Sequence, residues 1–413
     1  MMREKQLLAL IVGLFILLGV TYALTTPVFE ASDELWHYPM IRHLADGNSL
    51  PVQVYDPAQA GPWKQEASQP PLYYYLGAAL TFWIDTADME TVRWLNPHVD
   101  NGILTEDGNT NLAIHDPAQN PWQGTLLAVR LVRLASVLLS AGTVLLTYLI
   151  AKEVAPDRPE IALGATAVNA FLPMFLFISG AVNNDNLAIL LASLAVWLMI
   201  RTVDIGQWSV VSDQSTVHRS PFTVHRSPSI WRWLLLGVVI GLAVLTKQGT
   251  FALLPLAWGT IFVVRWQVIV GKNGPFDRAQ GRHFGRAQGR RFSSYSQLFK
   301  ALWQSLLYFA LLLIPVILVA GWWYWRNMQL YGDFLGWSAF IAVLGERARP
   351  ASLAQLWGER QGFMMSFWGL FGGVNIPMPL WIYQLLNGVL VVSVMGFVLY
   401  FVQKIKDWRA KIE

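Results

Sequence analysis

The run QLLALIVGLFILLGVTYAL at residues 6–24 holds no charge over 19 residues and follows Arg3 and Lys5. About 20 apolar residues in a helix cross the hydrocarbon of a bilayer. A secretory signal core is shorter, roughly 7–15 residues, so the run reads as a retained anchor with a cytoplasmic N-terminus. Comparable blocks recur at about 126–151, 161–180, 187–201, 301–325 and 379–403. The block at 233–265 reads as a hairpin of two spans turning near Lys247-Gln248-Gly249. Together these predict an all-α polytopic membrane protein of eight spans, with the C-terminus also cytoplasmic.

Composition agrees. The chain has 413 residues, 54% hydrophobic and 14% charged, where a soluble domain is about a quarter charged. It contains no cysteine, which excludes disulfides, thiolate metal sites and a cysteine nucleophile. The net charge of +4 needs no nucleic-acid partner, because the basic excess falls in loops between apolar blocks. Twenty of the 30 Lys and Arg lie in the segments this topology makes cytoplasmic, as the positive-inside bias requires. The loop at 26–125 holds 13 Asp and Glu against Arg42, Lys64 and Arg93, and so reads as extracytoplasmic. A single transmembrane domain over 1–403 results, with a second outer loop at 326–378 and a cytoplasmic tail at 404–413. The cytoplasmic loops at 202–231 and 266–300 carry short tandem duplications, 216–221 repeated at 223–228 and 278–282 at 286–290. They are polar and read as flexible insertions.

Within the first outer loop, Glu30-Ala31-Ser32-Asp33-Glu34-Leu35-Trp36-His37-Tyr38 follows the first span closely. Ser32 is placed to cap a short helix through about Ala45. Asp33 and Glu34 either favour that helix's N-terminal dipole or serve as a general base at the membrane surface. His37, one turn beyond, shares the face of Asp33. Pro70-Pro71 opens an apolar, aromatic run to Ile84 that is too short to span and suits an interfacial helix.

Other ionisable residues sit at the outer ends of spans. Asp185 lies in the turn Asn183-Asn184-Asp185-Asn186, and Lys247 in the hairpin turn. Arg130 and Arg133 share a helix face inside an apolar segment, a costly placement unless they are paired. Interfacial anchoring, pairing with the acidic loop, or capture of a phosphate, which guanidinium binds bidentately, would each account for them. Trp322-Trp323-Tyr324-Trp325 reads as an interfacial belt. Walker loops, HExxH, GxSxG elbows and dinucleotide fingerprints are missing, so a nucleotide-driven motor or serine hydrolase has no support.

The ordered set Asp33-Glu34, Gln69-Pro70-Pro71-Leu72-Tyr73-Tyr74-Tyr75, Arg133-Leu134-Ala135-Ser136, Asn184-Asp185 and Thr246-Lys247 resembles the GT-C superfamily of membrane glycosyltransferases. The likeness is to bacterial relatives of protein O-mannosyltransferases and of lipid A aminoarabinose transferase, and it covers roughly residues 6–265. The final third resembles bacterial membrane proteins allied to that group. The resemblance implies a polyprenyl-phosphate sugar donor and an extracytoplasmic glycan, lipid or protein acceptor, in a setting of membrane lipids. Asp33 would be the base of an inverting transfer, supported by Glu34, with Asp185 a second acidic group near the reaction centre. Lys247 and Arg133 would hold the lipid phosphate, with His37, Gln69, Tyr73 and Arg130 also contacting substrate. Gln69 departs from the aminoarabinose-transferase branch, which has a basic residue there. A divalent metal on Asp33, Glu34 and Asp185 is compatible with their oxygen ligands. A transporter or flippase of lipid-linked sugars, or a non-catalytic scaffold, would use the same groups for binding alone.

Overall fold

The computed structural model describes residues 2–103, 108–203, 229–271 and 289–410; the first tandem duplication and nearly all of the second lie outside them. Helix α1 (Met2–Thr25) leads into a long loop that holds α2 (Glu34–Ala45), α3 (Leu72–Thr81) and α4 (Met89–Val92). Next come α5 (Gly124–Val154), α6 (Pro159–Ala170), α7 (Pro173–Ser179) and α8 (Asp185–Thr202). After them come α9 (Ile230–Val244), α10 (Leu253–Gly271) and α11 (Gly289–Tyr331). The loop after α11 contains α12 (Trp337–Leu344), α13 (Leu353–Gly358), α14 (Arg360–Trp368) and a hairpin of β1 (Leu370–Phe371) with β2 (Ile376–Pro377). Helix α15 (Leu380–Ala410) ends the described chain.

Among the described residues six segments are long and apolar enough to cross a membrane: Arg3–Thr25, Gly124–Val154, Asp185–Thr202, Gln248–Ile269, Tyr295–Tyr331 and Leu380–Gln403. The protein is an all-α, multi-pass membrane protein. Two of the eight expected spans differ from the expectation. The block at 161–180 is broken into α6 and α7, bent by 62°. Pro173 is the cause, because it lacks a donor and forces the preceding residue out of the helical region; Leu172 is accordingly extended, at φ −64° and ψ 120°. Counting the bent pair as one span gives seven. Helix α9 has 15 residues, a rise of only ~22 Å against the ~30 Å of a hydrocarbon core.

Helix α9 is nevertheless deeply packed against α11. A Cβ at Gly237 would stand 2.4 Å from the Leu312 carbonyl oxygen, and one at Gly241 would stand 3.2 Å from the Val316 Cα. Small residues four apart let two membrane helices touch backbone to backbone. Helix α15 is exposed along almost all of its length, with Tyr383 buried near its start; it stands at the rim, tied to α14 by Trp368 Nε1 donating to Asn387 Oδ1 at 2.8 Å. The aromatic run at the end of α11 divides. Trp322 and Trp325 are exposed, as a belt requires, whereas Trp323 and Tyr324 are core residues.

These two long loops are tied together. Gly102 N donates to Gly373 O at 2.7 Å, and Asn375 Nδ2 to Thr110 O at 3.0 Å. Buried Glu30 accepts from Leu112 N, Ala113 N and His115 Nε2, at 2.8, 3.0 and 2.7 Å. These bonds roof the bundle end and fix what lies beneath.

Candidate active site

Asp33 and Glu34 are neighbours that the backbone sends in different directions. The chain leaving α1 winds around the Glu34 carboxylate, which accepts from Phe29 N at 2.8 Å and from Val182 N at 2.9 Å. Arg133 donates to it twice, through Nε at 2.8 Å and NH2 at 2.6 Å. The other Arg133 donors go to the carbonyls of Ala23, Thr26 and Pro27. Winding this tightly needs left-handed turns, found at Phe29 (φ 72°) and Asp33 (φ 59°), a region costly for most side chains but tolerated by Asp.

That left-handed turn makes Asp33, and not Ser32, the N-cap position of α2, and its side chain makes no capping hydrogen bond. The carboxyl is half-buried. Burial raises it above the usual carboxylate range, the Lys247 ammonium pulls it back, and the Asp185 charge pushes it up again. Backbone strain and a displaced carboxyl pKa both concentrate at functional sites.

Asp185 and Lys247 form an ion pair at 2.6 Å, with 38% and 35% of their side chains exposed. The asparagines around Asp185 build its turn. Asn183 Oδ1 accepts from Asp185 N at 2.8 Å, and Asn186 is clamped between Ser140 Oγ and the carbonyls of Ile178, Ala181 and Asn183. Asn184 Nδ2 donates to Gln69 Oε1 at 2.7 Å. Leu72 N donates to Leu245 O at 3.1 Å, which joins the double-proline segment to the Lys247 turn. Gln69 thus braces the Asp185 turn, the position that is basic in the aminoarabinose branch.

Behind Asp33 lies a second group, in which buried His37, expected to contact substrate, instead meets Tyr74 and Glu66, a carboxyl that sequence reasoning did not single out. Tyr74 donates to Glu66 Oε2 at 2.7 Å, and its oxygen lies 2.8 Å from His37 Nδ1. Gln65 Nε2 donates to Glu66 Oε1 at 3.0 Å. His37, Glu66 and Tyr74 are all buried. Burial holds the His37 imidazole down at about 3, with the Lys247 charge acting the same way. Burial likewise raises the Glu66 carboxyl to about 8, and the nearby Asp33 charge adds to the rise. In sequence Glu66 is one of 13 outer-loop acids, marked only by standing just before Gln69-Pro70-Pro71.

Of the residues the sequence nominates, the structure gathers Asp33, His37, Gln69, Asp185 and Lys247 at one end of the bundle. Glu34 and Arg133 are fully buried against each other, so Arg133 has no donor left for a phosphate and Glu34 no free lone pair to support Asp33. Tyr73 is also buried, spent on Ser136 Oγ at 2.9 Å and Asn183 N at 3.1 Å. Arg130 donates to the Pro121 carbonyl and stacks over Trp122 at 5.2 Å, an interfacial arrangement. Among the described residues no three His, Asp or Glu side chains converge as metal ligands, and the Asp33, Glu34, Asp185 set is divided by Arg133.

The family model for dolichyl-phosphate-mannose-protein mannosyltransferases matches residues 121–331. The chain belongs to this family. The match runs from α5 through α11 and includes Asn184-Asp185 and Lys247, while Asp33 precedes it. This is a family of GT-C membrane glycosyltransferases, in keeping with a polar cluster roofed by outer loops on a helical bundle. No curated protein matches the chain.

Proposed function

We propose that the protein transfers a sugar from a polyprenyl-phosphate donor to a hydroxyl of an extracytoplasmic acceptor, by single displacement with inversion. The observation that carries this reading is Asp33, held in a strained left-handed turn at the bundle end and facing the half-exposed Asp185–Lys247 pair. The Asp33 carboxylate takes the acceptor's proton as the acceptor oxygen bonds to the anomeric carbon. The bond from that carbon to the phosphate oxygen breaks, and its electron pair leaves with the polyprenyl phosphate. A carboxylate raised above its ordinary pKa is the stronger base for this step. Lys247, fixed by Asp185, offsets the charge that grows on the departing phosphate. Its ammonium is the cation open to a ligand here, a role that sealed Arg133 cannot fill. The basic bias of the opposite loops supports an extracytoplasmic site, and α9, which returns the chain from the far end of α8 to Lys247 beside Asp185, keeps the crossings even and both termini in the cytoplasm.

The test is transfer by purified wild-type and Asp33→Asn protein with a panel of polyprenyl-phosphate sugars and candidate acceptors. Asn tolerates the left-handed turn as Asp does, so the variant keeps the backbone. Loss of roughly 100-fold or more in turnover is expected on removing a general base. Equal turnover by both proteins would sink the assignment of Asp33. Binding of donor without turnover by either, with acceptors varied, would favour carriage of the lipid-linked sugar over its transfer.

A further inference from the structure

We propose that Glu66 is a positioning residue for this site: the Glu66–Tyr74–His37 cluster holds a proton behind Asp33, and its loss closes the site at alkaline pH. The inference rests on the transfer reading above and deepens it.

The geometry carries the argument. Glu66 is 2% exposed, and among the described residues no Lys or Arg lies within ion-pair distance of it; its ring neighbour is His37 Nδ1 at 3.3 Å. A buried carboxylate without a cation is expensive, and such a group keeps its proton instead. The three members sit on three different segments, α2, α3 and the short turn Lys64–Ser68, so the cluster pins together the pieces that carry Asp33 and Gln69. When Glu66 is ionised, Tyr74 donates to it; when Glu66 is protonated, its O–H can donate to the Tyr74 oxygen, whose own proton then turns to His37 Nδ1, 2.8 Å away. His37 N in turn donates to the Asp33 carbonyl at 2.8 Å.

The charges that act on Glu66 come from every side. Asp33 and His37 are on α2, Tyr74 is on α3, and Lys247 lies in the turn after α9, already paired with Asp185. Helix α12, packed over Lys64–Ser68, has no ionisable residue. Lys64 faces away, over the Trp36 ring at 4.8 Å. Asp33, Asp185 and an ionised Glu66 would therefore all draw on the single ammonium of Lys247. Ionisation of Glu66 cancels the positive field that an anionic donor needs, while a protonated Glu66 leaves that field in place.

The sign follows. Glu66 keeps its proton below about 8, so transfer is expected to fall as pH rises through that value. Its protonated fraction drops about tenfold between pH 7 and 9 for such a group, and the wild-type rate should drop with it. Each protein is compared with its own rate at pH 7, in the full chain. Glu66→Gln mimics the protonated form and should fall less than twofold over that range. Tyr74→Phe removes a hydrogen bond that favours the ionised carboxyl, so its alkaline limb should move to higher pH. Profiles that superimpose on wild type in both variants would overturn the proposal, since a merely structural cluster would change the rate and leave the pH dependence alone.

An infrared titration of the carboxyl stretch separates this failure from failure of the transfer reading. A buried protonated carboxyl present at pH 7 in wild type and missing in Glu66→Gln is expected, whatever the activity. Its absence from wild type would overturn the proposal even if Asp33→Asn abolishes transfer.

Discussion

Two ion pairs at the loop-covered end of the bundle have the same separation, 2.6 Å, and opposite surroundings. Arg133–Glu34 is 0% exposed on both sides, while Lys247–Asp185 is 35% and 38% exposed. The sealed pair has every donor and acceptor committed, so it can only hold the chain. The open pair retains ammonium protons and carboxylate lone pairs for a visitor. Asp33 and Glu34, adjacent in sequence, fall on either side of this divide. Separation therefore says little about what an ion pair does; the water around it says more.

The largest effect is expected where the sealed pair is broken. Arg133→Met leaves Glu34 buried without its cation, a change that typically costs ~3–5 kcal/mol. A large drop in the thermal unfolding midpoint in detergent, or loss of the monodisperse fraction, is the expected outcome. The double variant Arg133→Met with Glu34→Leu sharpens the comparison. Apolar replacement of a buried pair is often neutral, but here Phe29 N, Val182 N and three carbonyls would lose their partners. Each such orphan costs ~1–3 kcal/mol, so the double variant should stay destabilised. Recovery to the wild-type midpoint would show that the pair, and not the backbone winding around it, is what matters.

The open pair should reverse the pattern. Lys247→Met is expected to lower transfer by roughly 10–100-fold, in line with the loss of one group that stabilises developing charge. Its effect on stability should stay below ~1 kcal/mol, because partly exposed pairs are worth little. Transfer kinetics and thermal unfolding on the same preparation check both halves. A Lys247→Met protein that unfolds as readily as Arg133→Met would place Lys247 with the sealed pair and remove it from the chemistry.

These contrasts also explain what the sequence could and could not reveal. Apolar runs of about 20 residues, such as 6–24, fix a span by length alone, and the acidic excess of 26–125 separates that loop from the basic ones. Pro173 was visible inside its apolar block, yet the 62° bend needs the context of packed neighbours. The role of Gly237 and Gly241, one helical turn apart, emerges only from the packing of α9 on α11. Position along the chain placed Asp33, Asp185 and Lys247 at ends of spans. It could not say that Arg133 meets Glu34, 99 residues away, because two separate readings of a membrane arginine, paired strut or phosphate ligand, share one sequence signature. Glu66 was hidden for the complementary reason. Its importance comes from lacking a cation in a dry place, and a sequence shows charges without showing how dry they are.

A third pair closes the series and is expected to do least. Arg347 and Glu359 meet at 2.7 Å with two parallel hydrogen bonds, as good a geometry as either pair above, but their side chains are 53% and 46% exposed. The Glu359 carboxyl is held below its ordinary range, chiefly by hydrogen bonding to Arg347. A depressed carboxylate contributes stability above its unfolded pKa and loses it as pH falls through the folded one, so any contribution should fade in acid. Water solvates both charges as well as they solvate each other, and salt screens what is left. Arg347→Gln is therefore expected to leave the unfolding midpoint and the transfer rate unchanged at neutral pH, at both low and high salt. A salt-dependent drop in the midpoint would mean that distance and bidentate geometry carry weight of their own. Exposure would then no longer rank the three pairs, and the assignment of Lys247–Asp185 to chemistry would have to rest on transfer kinetics alone.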